Sequence, residues 1–413
     1  MIQNFDVVVI GAGPAGMAAA LSASEIGVKT LLIERDGKLG GILNQCVHSG
    51  FGAKYFNREV SGPEYVQMFI NKVNESNISV LVNSFVTEVS QEKVLTILSH
   101  GKGMLRVKAK SVVFAMGCRE RTAGALPLAG DRPVGIWTAG MAQHFANVDG
   151  KLVGKDIVIL GSGDVGLITA RRMIQQGATV KMVCEIMPYS SGHERNLEQC
   201  LRNNNVPLLL STTITRVVGK VRVEGVFVAE VDENRKPKLE TERFVPCDSV
   251  LLSVGLIPEN ELALPLEICM DKITNGAIVD EYRHTDKEGF FACGNTLHVH
   301  DLVDNVSEEA HIAGTAAALY ALGKLPKGAK VSVAVGEGVR YVLPQRITLN
   351  DGCASFFLRV SKQFSNATLV VKSGETIISK KECETLSPGE MCSIKVDKTL
   401  IVDDITICVK RND

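Results

Sequence analysis

Short apolar runs alternate with stretches of helical periodicity through the first 325 residues. Asp6–Ile10 and Lys29–Ile33 read as strands, and Ala15–Gly27 between them keeps small and apolar side chains at helical spacing. The same order returns about 150 residues later as Asp156–Leu160, Val165–Gly177 and Thr179–Cys184, an internal echo. In both copies the helix ends at a glycine, Gly27 or Gly177, the residue best suited to the left-handed turn that closes a helix. Apolar strands joined by helices mark buried parallel sheets, so the pattern predicts an α/β fold that uses one strand–helix–strand unit twice.

After Leu322 the helical period stops. Gly323-Lys-Leu-Pro-Lys-Gly328 reads as a linker. Beyond it come short β-rich runs at 341–343, 355–360, 368–372, 376–379, 393–396 and 405–409, with turns at Lys372-Ser-Gly-Glu375 and Ser387-Pro-Gly-Glu390. A small C-terminal β-domain is expected.

At 413 residues the chain exceeds what one hydrophobic core usually serves, and its 45% hydrophobic and 22% charged residues are those of a globular protein. With a formal net charge of -1 and no long Lys/Arg block, nucleic acid and anionic membranes are poor partners, and a small molecule or another protein is the expected target. The apolar N-terminus runs into a glycine-rich turn without a basic segment or cleavage site, so it reads as a strand rather than a signal peptide. No stretch approaches the roughly 20 apolar residues of a membrane helix. The 11 cysteines are scattered, and none has a partner across the two-residue gap of a zinc, iron–sulfur or thioredoxin-type site. Reduced thiols in a cytoplasmic protein, with no metal, are the expectation.

The candidate chemistry lies in the two glycine-rich turns. Gly11-Ala-Gly13-Pro14-Ala15-Gly16 follows the first strand and opens the first helix, and Glu34 ends the next strand 18 residues after Gly16. Gly11 permits the tight turn, Gly13 lets the backbone approach a pyrophosphate, and Gly16 lets helix and strand pack closely. The helix N-terminus offers unpaired N–H groups to phosphates, and Glu34 is placed to accept from an adenosine ribose. Gly161-Ser-Gly163-Asp164-Val-Gly166 repeats the arrangement, with Glu185 falling 19 residues after Gly166. A site for NADP would carry basic side chains just after that strand, but none occurs before His193 and Arg195, so NAD(H) is expected.

With these turns, Gly40-Gly41, Ser111–Gly117, Asp248–Gly255 and Gly289-Phe-Phe-Ala-Cys-Gly294-Asn295 in this order, the chain resembles the two-dinucleotide-binding flavoproteins of the pyridine nucleotide–disulfide oxidoreductase superfamily. The resemblance implies two Rossmann-like dinucleotide-binding domains, three-layered around parallel sheets, with the second inserted in the first. The FAD-binding domain would comprise 1–120 and 256–325, the NAD-binding domain 121–255, and the β-domain 331–413. FAD would be contacted by the first turn together with Glu34, Arg35, Gly41, Ala115, Gly117, Gly294 and Asn295. NAD(H) would be contacted by Gly161, Gly163, Asp164, Gly166, Glu185 and Gly255. Asn295 departs from the usual acid of the late Gly-Asp turn but can still hydrogen-bond phosphate or hydroxyl oxygens. A helix starting near Ser307 would point its N-terminus at the flavin.

Disulfide reductases of the superfamily carry two redox cysteines close in sequence, after the Gly-Gly segment or in the nicotinamide domain. Here the segment reads Ile42-Leu-Asn-Gln-Cys46-Val-His48-Ser-Gly-Phe51-Gly52, with one cysteine and Phe51 where its partner would stand. Cys46 is then either an oxidisable thiol or a small side chain packed near the flavin, and His48 either a proton donor or a polar contact. His298, His300 and Asp301 resemble a metal cluster only superficially.

The stretches 41–52, 117–122 and 293–303 are similar to a narrower group. It contains the FAD/NAD subunits of dye-linked proline dehydrogenases, hydrogen cyanide synthase and heterotetrameric sarcosine oxidase, and proteins encoded beside glycerol-3-phosphate dehydrogenases. That likeness implies NADH:acceptor chemistry inside a complex whose second subunit is a flavoprotein dehydrogenase. The alternatives are a stand-alone NADH oxidase or peroxidase using Cys46 and a non-enzymatic dinucleotide-binding scaffold. Hydride transfer between nicotinamide and flavin is intrinsic to the cofactors and needs alignment more than an acid or base.

Overall fold

The computed structural model describes residues 2–126 and 128–412; Met1, Pro127 and Asp413 lie outside the described residues. Two compact units divide the chain, one of Met1–Cys118 with Pro258–Asp413, the other of Arg119–Ile257.

In the first unit, strands Ser79–Leu81, Thr30–Ile33, Ile2–Ile10 and Gly103–Phe114 lie side by side in parallel, and Phe290–Ala292 also pairs in parallel with Gly103–Phe114. Val94–Ser99 and Ser84–Val89 extend the sheet antiparallel. Val7, Val8 and Val9 are fully buried because both faces of the sheet are covered, which is why this strand reads as an unbroken apolar run. Val7 and Val9 face helices Pro14–Glu25 and Val303–Ala321, while Val8 and Ile10 face a second core that includes Leu266, Val279, Tyr341 and Leu343. The register sets Ile10 level with Ile33 and Phe114, and Phe114 level with Ala292. Gly11, Glu34, Ala115 and Cys293 therefore leave the sheet at one edge, the carboxyl ends where α/β proteins bind ligands.

The second unit repeats the plan. Ile136–Thr138, Ser249–Leu252, Asp156–Leu160, Thr179–Cys184 and Leu208–Leu209 form a parallel sheet in that order, with Leu160 level with both Cys184 and Leu252. A smaller sheet of Ala129–Gly130, Thr212–Val218, Gly225–Glu230 and Arg243–Pro246 accompanies it.

Residues beyond 330 build a five-stranded sheet and a three-stranded sheet around their own core, centred on Phe356, Leu358, Leu369 and Ile407. They do not separate as a unit of their own, because Tyr341 and Leu343 are buried in the core under the first sheet. Two ion pairs, Lys398–Glu281 at 3.1 Å and Lys330–Asp280 at 3.2 Å, add to that attachment. Two strands here escape the sequence pattern, Lys330–Val335 and Arg346–Thr348. The run expected at 376–379 extends through Thr376–Leu386, since it pairs with Phe364–Ser373 along its whole length. The helix expected near Ser307 begins at Val303; its first-turn Asp304 accepts from the Gly52 and Tyr55 amides at 3.2 and 2.9 Å and hides the start among polar residues.

Candidate dinucleotide sites and a buried ion network

The three glycines of the first turn are required for different reasons. A Cβ on Gly11 would lie 2.5 Å from the Ala115 carbonyl oxygen, and one on Gly16 would lie 1.7 Å from the Gly11 carbonyl oxygen. These two positions exclude a side chain whether or not a ligand is present. A Cβ on Gly13 would meet only the Gly41 Cα, at 4.0 Å, so the protein itself leaves that space open. Gly41, at φ +55°, closes the far side of the cradle, where its own Cβ would stand 3.0 Å from the Gly13 Cα. Gly13 caps the helix without a side-chain cap, and Pro14 occupies the first turn, so amide donors remain available to an anion. A cradle that a Cβ would fill, at the end of an uncapped helix, fits the pyrophosphate of FAD.

Glu34 is buried, and its carboxylate accepts from the amides of Ala12 at 2.8 Å and Asp36 at 2.9 Å. Its first task is therefore to hold the turn; a carboxylate has lone pairs left for a ribose diol. Arg35 beside it is exposed. Ala115 donates to the Ile10 carbonyl at 2.9 Å, and Gly117, at φ +74°, faces open space. Gly294, at φ +70°, presses the late turn against Ala15, whose Cβ lies 2.8 Å from where a Gly294 Cβ would be. Asn295 accepts from the His300 amide at 3.1 Å and donates to the Cys118 sulfur at 3.6 Å.

The second turn copies the first bond by bond. Gly161 donates to the Cys184 carbonyl at 2.7 Å as Gly11 donates to that of Ile33 at 2.8 Å. Glu185 accepts from the Ser162 and Met187 amides at 3.0 and 2.9 Å, as Glu34 does from Ala12 and Asp36. Gly161 and Gly166 are pressed against Ser253, while Gly163 again faces a gap and Gly255 opens at φ +103°. Asp164, expected at the cofactor, opens the helix after Gly163, and its carboxylate accepts from the His193 amide and the Asn196 side chain at 2.9 and 2.7 Å, pinning the segment after Glu185 over the turn. Two hydroxyls not anticipated from the sequence flank the Gly163 gap: Ser253 Oγ and Ser191 Oγ lie 3.7 and 3.8 Å from where a Gly163 Cβ would be. The echo contains the signal for one of them, since Ser253-Val-Gly255 matches Ala115-Met-Gly117.

Cys46 follows the 3-10 turn Gly41–Gln45, with its sulfur 3.5 Å from the Ile42 carbonyl oxygen, and burial pushes its thiol up to about 12. The His48 ring lies 4.9 Å from that of Phe51.

His298 and His300 meet Glu309 rather than Asp301. All three are buried, and Glu309 accepts from Arg283 Nε at 2.9 Å, His298 Nε2 at 3.2 Å, His300 Nε2 at 3.0 Å and the Gly294 amide at 2.9 Å. Four donors fill the four lone-pair positions of a carboxylate, so a cation would have to displace one and face the Arg283 charge. Asp301 instead pairs with Arg359. Burial alone would raise Glu309, but His298, His300 and Arg283 outweigh it and hold the carboxyl well below its ordinary value. Burial, with His300 beside it, lowers His298 to about 4. Sequence reasoning missed Glu309 and Arg283 because no motif marks either residue and they meet only in the fold.

The model of the pyridine nucleotide-disulphide oxidoreductase family matches residues 5–317, and the chain belongs to that family. It is an oxidoreductase of the flavoprotein type, in a family whose members bind FAD and NAD(P)H. One of the opine oxidase subunits of Agrobacterium tumefaciens is 24% identical over 340 residues, 78% of this chain and 66% of that protein, so the chain spans about two thirds of this relative. The thioredoxin reductase of Listeria monocytogenes is 26% identical over 306 residues, 70% of this chain and 85% of the relative. L-proline dehydrogenase from P. horikoshii shares the fold, with a TM-score of 0.56 and 21% identity over 78% of this chain and 57% of its own. No helix among the described residues is long and apolar enough to cross a membrane.

Gly13→Val is expected to keep the far-ultraviolet circular dichroism of the folded protein while the purified protein loses its FAD, whereas Gly16→Ala should fail to fold. A Gly13→Val protein that keeps wild-type FAD content contradicts the cradle. For His298 the folded value lies below the unfolded value of about 6.5, so the unfolded state binds more protons in acid. The associated stability is complete above pH 6.5 and is lost as pH falls towards 4, by about 3 kcal/mol. Urea midpoints at several pH values should show that slope, and His298→Gln should flatten it.

Proposed function

We propose that this chain is an FAD-dependent NAD(H):acceptor oxidoreductase that serves as the electron-transfer subunit of a dehydrogenase complex. The observation that carries the reading is the second cradle. It has the construction of the first, and its ribose-facing acid Glu185 is followed by no basic side chain before His193, which itself pairs with Asp164 at 3.5 Å. A carboxylate at that position suits a ribose diol and repels a 2′-phosphate, favouring NAD(H) over NADP(H).

When bound, FAD and NAD(H) would supply the hydride chemistry, NADH giving up two electrons and becoming NAD+ while the acceptor takes them up by way of the flavin. The protein's residues bind and orient. Gly13 and Gly163 admit the pyrophosphates, Glu34 and Glu185 hold their turns and accept from the riboses, and Ser191 and Ser253 add hydroxyls beside the second pyrophosphate. Cys46 is read as a packed side chain, because a thiol pushed up to about 12 holds almost no thiolate at neutral pH. Electrons then leave for an external acceptor. The similarity to one component of opine oxidase, an enzyme built from subunits, supports a partner subunit; in this reading the partner is a flavoprotein that oxidises the organic substrate.

NADH is expected to bleach the flavin anaerobically at least tenfold faster than NADPH, and Glu185→Gln, which keeps an oxygen for the Ser162 amide, should narrow the gap. Equal rates with the two nucleotides in the wild type would refute the preference. Cys46→Ser should retain most NADH-driven dye reduction, with neither form consuming hydrogen peroxide. Loss of dye reduction in a mutant that still holds FAD would transfer the chemistry to the thiol.

A further inference from the structure

The ion network around Glu309 reaches from the turn at Gly294 into the C-terminal strands. Arg359, on strand Cys353–Val360, donates through Nη2 to the Val299 carbonyl at 3.2 Å, pairs with Asp301, and donates through Nε to the Tyr341 hydroxyl at 3.2 Å. Tyr341, on strand Val339–Leu343, stands with its hydroxyl 3.5 Å from His298 Nδ1. An ionised Glu309 can only accept, so His298 and His300 each carry a proton on Nε2. That tautomer leaves His298 Nδ1 as the acceptor for Tyr341. On the other side, Glu309 takes the Gly294 amide and the His300 amide is held by Asn295. The turn so gripped is the one pressed on Ala15 in the first glycine-rich loop.

We propose that Arg359 and Tyr341 are positioning residues for FAD, holding the Gly294–Asn295 turn against the first dinucleotide loop through the segment 298–301 and Glu309. The inference rests on the first loop being the FAD site. FAD affinity then depends on strands outside the residues matched by the family. The C-terminal strands have a second anchor in the buried Lys398–Glu281 pair. The Glu281 carbonyl accepts from Arg283 Nη1 at 3.3 Å, but its side chain bonds Lys398 and the Thr348 amide and not Glu309 or the turn, so exchanging the two side chains supplies the comparison.

FAD binding to apoprotein, followed by quenching of flavin fluorescence, tests the proposal in the full-length chain. Arg359→Gln is expected to raise the FAD Kd about tenfold, and Tyr341→Phe several-fold, the sizes of a lost charge-assisted and a lost neutral hydrogen bond. The visible absorption band of bound FAD should shift in both. The double variant Glu281→Gln/Lys398→Met should lower the melting temperature yet leave the FAD Kd within about twofold of wild type. Wild-type Kd and spectrum in both Arg359→Gln and Tyr341→Phe overturn the proposal. So does an equal loss of affinity in the double variant, which would mean that any loosening of these strands suffices. A wild-type apoprotein that takes up no FAD overturns the FAD reading itself, and this inference with it.

Discussion

The close approach of two backbone segments organises each dinucleotide loop. The carbonyl of Ala115 comes within 2.5 Å of where a Gly11 Cβ would be, and that of Ser253 within 2.0 Å of a Gly161 Cβ. Each turn can form only if the strand that leads into Ala115 or Ser253 lies beside the strand that enters the turn, and only a glycine fits. The parallel register meets the first condition, since Ala115 donates to Ile10 and Ser253 to Leu160.

Both loops are further tied by a buried carboxylate, Glu34 or Glu185, that accepts two backbone amides. Under the proposed function the same residue would serve folding and recognition. An acid used only to meet a ribose would lie idle without ligand, whereas the burial of these two is offset by the amides they satisfy, and they remain in position for a diol. The arrangement pre-organises the site, which limits the ordering that binding must cost.

Glu309 and Arg283 put charge to a different use. Taking an ion pair fully out of water contributes little net stability, and breaking one costs about 3–5 kcal/mol. Here the carboxylate also takes a backbone amide and two histidines, so every acceptor position is used. A hydrophobic cluster of equal volume could hold two elements together, but it could not hold a backbone N–H at Gly294 in one orientation. The directional bonds account for charge at this depth.

The two glycine-rich turns, their acids and the strand–helix–strand rhythm were legible in the sequence because each depends on residues within about 25 positions of one another and on periodicities that local sterics impose. The absent second cysteine near Cys46 was legible for the same reason. The tertiary structure alone decided which strands lie beside which, and with them the contacts of Ser253 and Ser191 at the second gap. It alone replaced Asp301 by Glu309 beside His298 and His300, turned Asp164 to the segment after Glu185, and buried Tyr341 beneath the first sheet. Some of these pairings join residues far apart in the chain, and Glu309, only 9 and 11 residues from its histidines, belongs to no motif that marks it; the summed burial of many side chains, which no short window of sequence contains, brings them together.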